Sequence, residues 1–238
     1  MAQRFCQCLV AGLSVGCLLL AVPPPASATI VFDDHFDGDS GGMPAGWFLG
    51  FGTGSVVEWG TVVDLLDSKV VIASDSEVDP SVGTVSIVVQ IAGANGAAGA
   101  GAGFTSDPAS HFAFLLYVSD GQVFISGEDA EGGEQNYVAG YLSGYTGGPI
   151  CVTLETGPTT FRISTDSPPF DSGSIQYAEV FPTFTRDDLG TAARLLLVND
   201  VEPSEWGSSS FDRITVDAGG PTPVESMTFG RIKALYRP

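Results

Sequence analysis

Three carboxylates alternate in Asp75-Ser76-Glu77-Val78-Asp79. On an extended strand, period two puts all three on one face, where one can act as nucleophile and another as acid. Pro80 follows directly, and a proline removes a ladder donor, so the segment also reads as a solvated acidic loop. A second acidic group, Asp33, Asp34, Asp37 and Asp39, falls within seven residues. Its stretch Asp37-Gly38-Asp39-Ser40-Gly41 can wrap oxygen atoms around a hard cation, which makes structural calcium an expectation at Asp37 and Asp39. It lacks the full run of an EF-hand loop. His35 and His111 are far apart, so no spacing argument assembles a Ser/His/Asp set.

Exposed aromatic rings are a third kind of chemistry, because the apolar face of a sugar packs on them. Trp206, Tyr137 and Tyr141 are the candidate ligand-binding residues. Tyr137 and Tyr141 share a face if their segment is extended, and Trp206, between Pro203 and Gly207, reads as a loop residue. Trp47 and Trp59 are further candidates, with core or edge packing as the plainer reading.

The elements that must position these groups are short and mostly β. Val85, Ile87, Val89 and Ile91 alternate with Thr84, Ser86, Val88 and Gln90, leaving one face apolar. Phe112 to Val118 is apolar on both faces, as in a covered central strand, and Asp120-Gly121 before Val123-Phe124-Ile125 signals a hairpin. Further apolar runs include Ile175–Val180, and Gly, Pro, Asp and Ser clusters recur about every ten residues, which suits a sandwich or barrel. The clearest helical turn is Thr185-Arg186-Asp187-Asp188. Gly93 to Gly103 is low in complexity and reads as a loop leading into a strand. Glu128 to Glu134 reads as a solvated hairpin tip.

Composition limits the partners. The 238 residues carry 28 acidic and 9 basic side chains, for a net charge of −19. A polyanion such as nucleic acid would be repelled by that charge. The first 28 residues have the form of an export signal: Arg4, an apolar run from Cys8 to Val22, and Ala26-Ser27-Ala28 before the expected cleavage. That run is shorter than the roughly 20 residues of a spanning helix, so a secreted chain with no permanent membrane span is expected. Removal of the signal takes Cys6, Cys8 and Cys17 and leaves Cys151 without an internal disulfide partner. The expected body is 29–218, with 219–238 a Gly/Pro linker and a basic tail that is similar to short tails closing some secreted bacterial proteins.

The order of pieces resembles the concanavalin A-like lectin/glucanase superfamily in its laminin G-like, non-catalytic form. The likeness runs through Ile30 to Gly38, Pro44 to Trp47, Ala102-Gly103-Phe104 with the Phe112 run and its hairpin, and Ser210 to Val216. It implies an all-β, two-sheet antiparallel jelly-roll sandwich whose first and last strands lie side by side. That pairing brings Asp212 near Asp37 and Asp39 as a further calcium ligand. Glucanases of this superfamily place Glu-x-Asp-x-Glu on one strand, and Asp75, Glu77 and Asp79 match the alternation with the residue types inverted. The resemblance implies a secreted, non-catalytic module that binds carbohydrate or another extracellular surface. A glycoside hydrolase or lyase using Asp75, Glu77 and Asp79, and a structural envelope or matrix protein, stand beside it, because fold alone does not fix function.

Overall fold

A computed structural model of the chain describes residues 29–81, 83–107, 110–129 and 133–218. The expected export signal, 1–28, and the linker and tail, 219–238, lie outside the described residues. The strands run β1 (Thr29–Asp34), β2 (Trp47–Gly52), β3 (Ser55–Trp59), β4 (Val62–Leu66), β5 (Val70–Val78), β6 (Val85–Gly96), β7 (Gly99–Asp107) and β8 (Ser110–Tyr117). They continue through β9 (Gln122–Glu128), β10 (Glu134–Tyr141), β11 (Ile150–Thr156), β12 (Thr160–Asp166), β13 (Pro169–Asp171), β14 (Ile175–Gln176), β15 (Ala193–Asp200) and β16 (Gly207–Ala218). A four-residue helical turn, α1 (Tyr177–Val180), and a 3-10 turn, Arg186–Leu189, precede β15. No helix among the described residues is long and apolar enough to cross a membrane.

These strands form two antiparallel sheets. One has the order β13-β12-β11-β6-β16-β4-β3, with β1 also on β16 and β14 on β12, and the other has the order β10-β9-β8-β7-β15-β5-β2. The first and last strands are neighbours, with Thr29 opposite Ala218 and Asp34 opposite Ile214. This is the expected sandwich. Period-two alternation selects its core: Val85, Ile87, Val89 and Ile91 of β6 meet Phe112, Phe114 and Leu116 of β8 and Ala100, Ala102 and Phe104 of β7. Two polar contacts tie the layers together inside. Asn199 of β15 accepts a 2.7 Å hydrogen bond from the Ser209 hydroxyl of β16, and Trp47 Nε1 donates to Asp34 at 2.8 Å. Such buried donors and acceptors are costly unpaired, so each bond favours one alignment of the layers.

Aromatic side chains close one end. Phe112 stacks on Phe184 at 5.3 Å and meets Phe161 edge-on at 5.3 Å, with Tyr177 and Phe181 completing the cluster. That packing explains one departure from expectation. Ile175–Val180 is not a strand, because after Gln176 the chain coils through α1 and sends Tyr177 and Phe181 into the core. The expected turn at Thr185 is present as a 3-10 turn closed by a capping box between Thr185 and Asp188.

Two other local expectations need correcting. Gly93 to Gly103 is not a loop, since β6 runs to Gly96 and β7 starts at Gly99. Pro80 does not keep Asp75 to Val78 out of the sheet. β5 continues to Val78, opposite Ala193, and the proline falls after its end. The expected Asp120-Gly121 hairpin is present between β8 and β9, with Gly121 at a positive φ of 69° in a loop longer than a two-residue turn.

The glycines of β7 are a packing requirement. A Cβ on Gly101 would lie 2.0 Å from the Phe114 carbonyl oxygen, and one on Gly103 2.1 Å from that of Phe112. Gly101→Ala should therefore destabilise the fold by about 1–3 kcal/mol, the usual range for overpacking. Urea unfolding checks this, and a midpoint equal to that of the unaltered chain would contradict the close β7–β8 approach.

Candidate functional site

Because Phe112, Phe114 and Leu116 point into the core, the alternate residues of the seven-stranded sheet form its outer face. Register then lays those residues in rows across the strands. The first row is polar: Glu134, Glu128, His111, Thr105, Arg194 and Glu77 stand opposite one another in turn from β10 to β5. The second holds Asn136, Ser126, Ala113, Gly103, Leu196, Ala73 and Phe48. The third is apolar around a glycine: Val138, Phe124, Leu115, Gly101, Val198, Val71 and Phe51. Beyond it lies Tyr117, whose hydroxyl donates to Asp200 at 2.5 Å, while Lys69 pairs with the same carboxylate at 2.9 Å. Ala73, Leu115, Leu196 and Val198 make a small cluster separate from the core, flanked by Val71, Tyr117 and Phe124. The face is thus an apolar band between two polar margins.

Charge on the first row is organised by two residues. Arg194 donates through Nη1 to the carbonyls of Ser74 and Asp75 at 2.9 and 2.7 Å and reaches Glu77 at 3.3 Å. Its guanidinium also lies 5.4 Å from the centre of the Phe48 ring. His111 bridges Glu128 through Nδ1 at 3.1 Å and Ser126 through Nε2 at 2.9 Å. Burial holds the His111 imidazole below its ordinary 6.5, with the Glu128 and Glu134 charges opposing that shift.

The alternating carboxylates are placed as follows. Asp75, Ser76 and Glu77 are all exposed, so strict alternation is lost. The β5–β15 register slips between Arg194 and Leu196 and disposes Asp75 to Glu77 around the Arg194 guanidinium. Asp79 lies beyond the strand and accepts from the Ser81 amide and hydroxyl at 2.8 and 2.5 Å. Glu77 and Glu128 share a row but lie four strand spacings apart, about 19 Å, well beyond the roughly 5–9.5 Å of a glycosidase pair. Glu128 and Glu134 are cross-strand neighbours, but the first is committed to His111 and the second accepts from Asn136 at 3.2 Å.

The aromatic candidates separate. Tyr137 packs against the core and Tyr141 is 60% exposed, because a bulge between Val138 and Gly140 reverses the alternation that would have joined them. The shared face expected for these two is therefore corrected. Trp206 is 69% exposed on the segment before β16, and Trp59 is 60% exposed on the edge strand β3, whereas Trp47 is core at 5%.

Among the described residues, no three His, Cys, Asp or Glu side chains group as metal ligands. Asp39 accepts from the Gly60 amide at 3.1 Å, and the turn at Gly38 and Ser40 donates to the buried Glu58. Asp212 is half-buried, which raises its carboxyl above the usual range. Its neighbour Arg213 instead grips Asp33 with two 2.8 Å bonds. Cys151 is half-buried on β11, and burial pushes its thiol up to about 11.

No protein-family model matches the chain, and no curated protein matches it by sequence. Solved structures do share its fold. A structure described with endo-acting O-glycanases of the human gut microbiota that initiate mucin breakdown aligns at TM-score 0.58 and 9% identity, over 81% of this chain and 100% of the other. A non-specific endo-beta-1,3(4)-glucanase from family GH16 aligns at 0.56 and 12%, over 81% and 92%. A glycosyl hydrolase family protein from Mycobacterium fortuitum aligns at 0.54 and 13%, over 79% and 99%. The chain has the concanavalin A-like jelly-roll fold.

Neither Arg194 nor the Ser126–His111–Glu128 contact is signalled by the sequence. Ser126 and Glu128 are two apart, a local signal of a shared face, but nothing local pairs either with His111.

The lowered His111 value has a stability consequence. The unfolded histidine takes up its proton more readily than the folded one, so the contribution is complete above pH 6.5 and declines as pH falls through that value. Melting temperature should therefore drop more steeply below pH 6.5 in the unaltered chain than in His111→Gln. Parallel pH curves would contradict the buried neutral imidazole.

Proposed function

We propose that this is an exported carbohydrate-binding sandwich that holds its ligand across the outer face of the seven-stranded sheet without cleaving glycosidic bonds. The observation carrying the reading is the banding of that face. An apolar strip, partly exposed at Phe124 and Val71 and nearly covered at Leu115 and Val198, lies between margins rich in donors and acceptors. A pyranose is built the same way, with apolar CH faces and hydroxyls at its rim. The described neighbours in fold act on glycans, which supports the ligand class. Among the described residues the outward positions of the central strands β7 and β8, Gly99, Gly101, Gly103 and Thr105 with His111, Ala113, Leu115 and Tyr117, carry no carboxylate. Tyr141, opposite Gln122 on β10, and Phe51, in the third row on β2, are exposed rings of this face that can extend the contact.

A glycan array probed with the mature chain, with and without calcium, should give binding, and Tyr141→Ala should weaken it at least about fivefold, the loss of one ring contact of roughly 1 kcal/mol. Silence across the array under both conditions would overturn the reading.

The hydrolase alternative has its own check. Glu77 is an exposed side chain paired with Arg194, so Glu77→Gln should cost less than about 1 kcal/mol of stability and leave any polysaccharide turnover unchanged. A selective loss of turnover in Glu77→Gln would restore Glu77 as an acid or nucleophile.

A further inference from the structure

Ser126, His111 and Glu128 stand in the relation of nucleophile, base and orienting carboxylate. His111 Nε2 lies 2.9 Å from Ser126 Oγ, and His111 Nδ1 lies 3.1 Å from Glu128 Oε2. The sheet builds this arrangement directly. Ser126 and Glu128 are two residues apart on β9 and face the same way, and His111 stands opposite Glu128 on β8. With Nδ1–H donated to Glu128, the lone pair of Nε2 is directed at the serine hydroxyl. Burial lowers the pKa of the imidazole below its ordinary 6.5, which favours the neutral form a general base requires.

The surroundings suit an acyl group. Asn136 is the cross-strand neighbour of Ser126 on β10, and one of its amide hydrogens goes to Glu134. The other is available to a developing oxyanion, the role a side-chain amide fills in acyl transfer. Ser126 is only 6% exposed, recessed beside Ala113, so a short acyl chain reaches it where a bulky one does not. Phe124 and Leu115 in the next row offer that chain an apolar rest.

We propose that Ser126, His111 and Glu128 form an acyl-ester hydrolysis site for short-chain esters. Where the carbohydrate reading holds, the alcohol half of the ester is a sugar hydroxyl. Ser126 Oγ adds to the ester carbonyl carbon as its proton passes to His111 Nε2. The carbon–oxygen bond to the alcohol then breaks, and the alcohol leaves with that proton. Water repeats the sequence on the acyl-serine, releasing the carboxylic acid and restoring the hydroxyl. Ester and water thus give alcohol and acid with no other reactant. Glu128 is a positioning residue, acting through the imidazole.

The test uses the mature chain with p-nitrophenyl acetate, p-nitrophenyl butyrate and methanesulfonyl fluoride, none of which contains a sugar, so its outcome is independent of the glycan array. The sulfonyl fluoride, small enough for the recessed site, should label Ser126 stoichiometrically, read by peptide mass spectrometry, and acetate should turn over faster than butyrate. Ser126→Ala should lose the label and at least about a hundredfold in kcat/KM, and Glu128→Gln should lower kcat with KM held and displace the pH profile. The label is read on the unaltered chain, so it does not depend on how a variant folds. Absence of label at Ser126, or Ser126→Ala turning over ester at the original rate, would overturn the proposal.

Discussion

The arrangement depends on one constraint: at the centre of the seven-stranded sheet only one set of alternate side chains can face the core. Ala100, Ala102 and Phe104 of β7 and Phe112, Phe114 and Leu116 of β8 take that side. Their partners on the other side have no choice of position. A one-residue slip between β7 and β8 would turn Phe112 and Phe114 into solvent, and each large apolar side chain so exposed forfeits about 1.5–3 kcal/mol. The register that protects the core is therefore also the register that sets Leu115 beside Gly101 and His111 beside Thr105, and the pairing of β9 on β8 sets Glu128 beside His111.

The second layer holds that register in place. β16 lies between β6 and β4, with β1 also paired to it, and Ser209 reaches across the core to Asn199 of β15. The Phe112 cluster fills one end, and Trp47 spans the layers through Asp34. Glycines of β7 let β8 approach closely and leave the outer face low beneath Leu115 and Tyr117. The shape of the candidate surface follows from packing as much as from polar chemistry.

Much of this was legible in the residues. The alternation of Val85, Ile87, Val89 and Ile91, the doubly apolar Phe112 run and the glycine of the hairpin each report a local backbone preference, and each was recovered in its element. Gly93 to Gly103 reads as a loop in sequence because glycine and alanine give almost no periodic signal, although the closeness of neighbouring strands is what requires them there. Tyr137 and Tyr141 share a face only under a strict period of two, which a bulge breaks, and bulges are settled by partner strands. The Ser126–His111–Glu128 contact depends on which strand lies next to which. Spacing along one chain does not contain that information.

We propose the outer face of the seven-stranded sheet as the binding surface of the molecule, with the opposite sheet as its support. Chemical-shift mapping on the isotope-labelled mature chain, titrated with acetylated and unacetylated oligosaccharides, tests this most directly. Shifts should concentrate on β7, β8, β9 and β15, with the largest near Ser126 and Leu115. Shifts confined to the outer face of the sheet containing β6, β11 and β16 would contradict it.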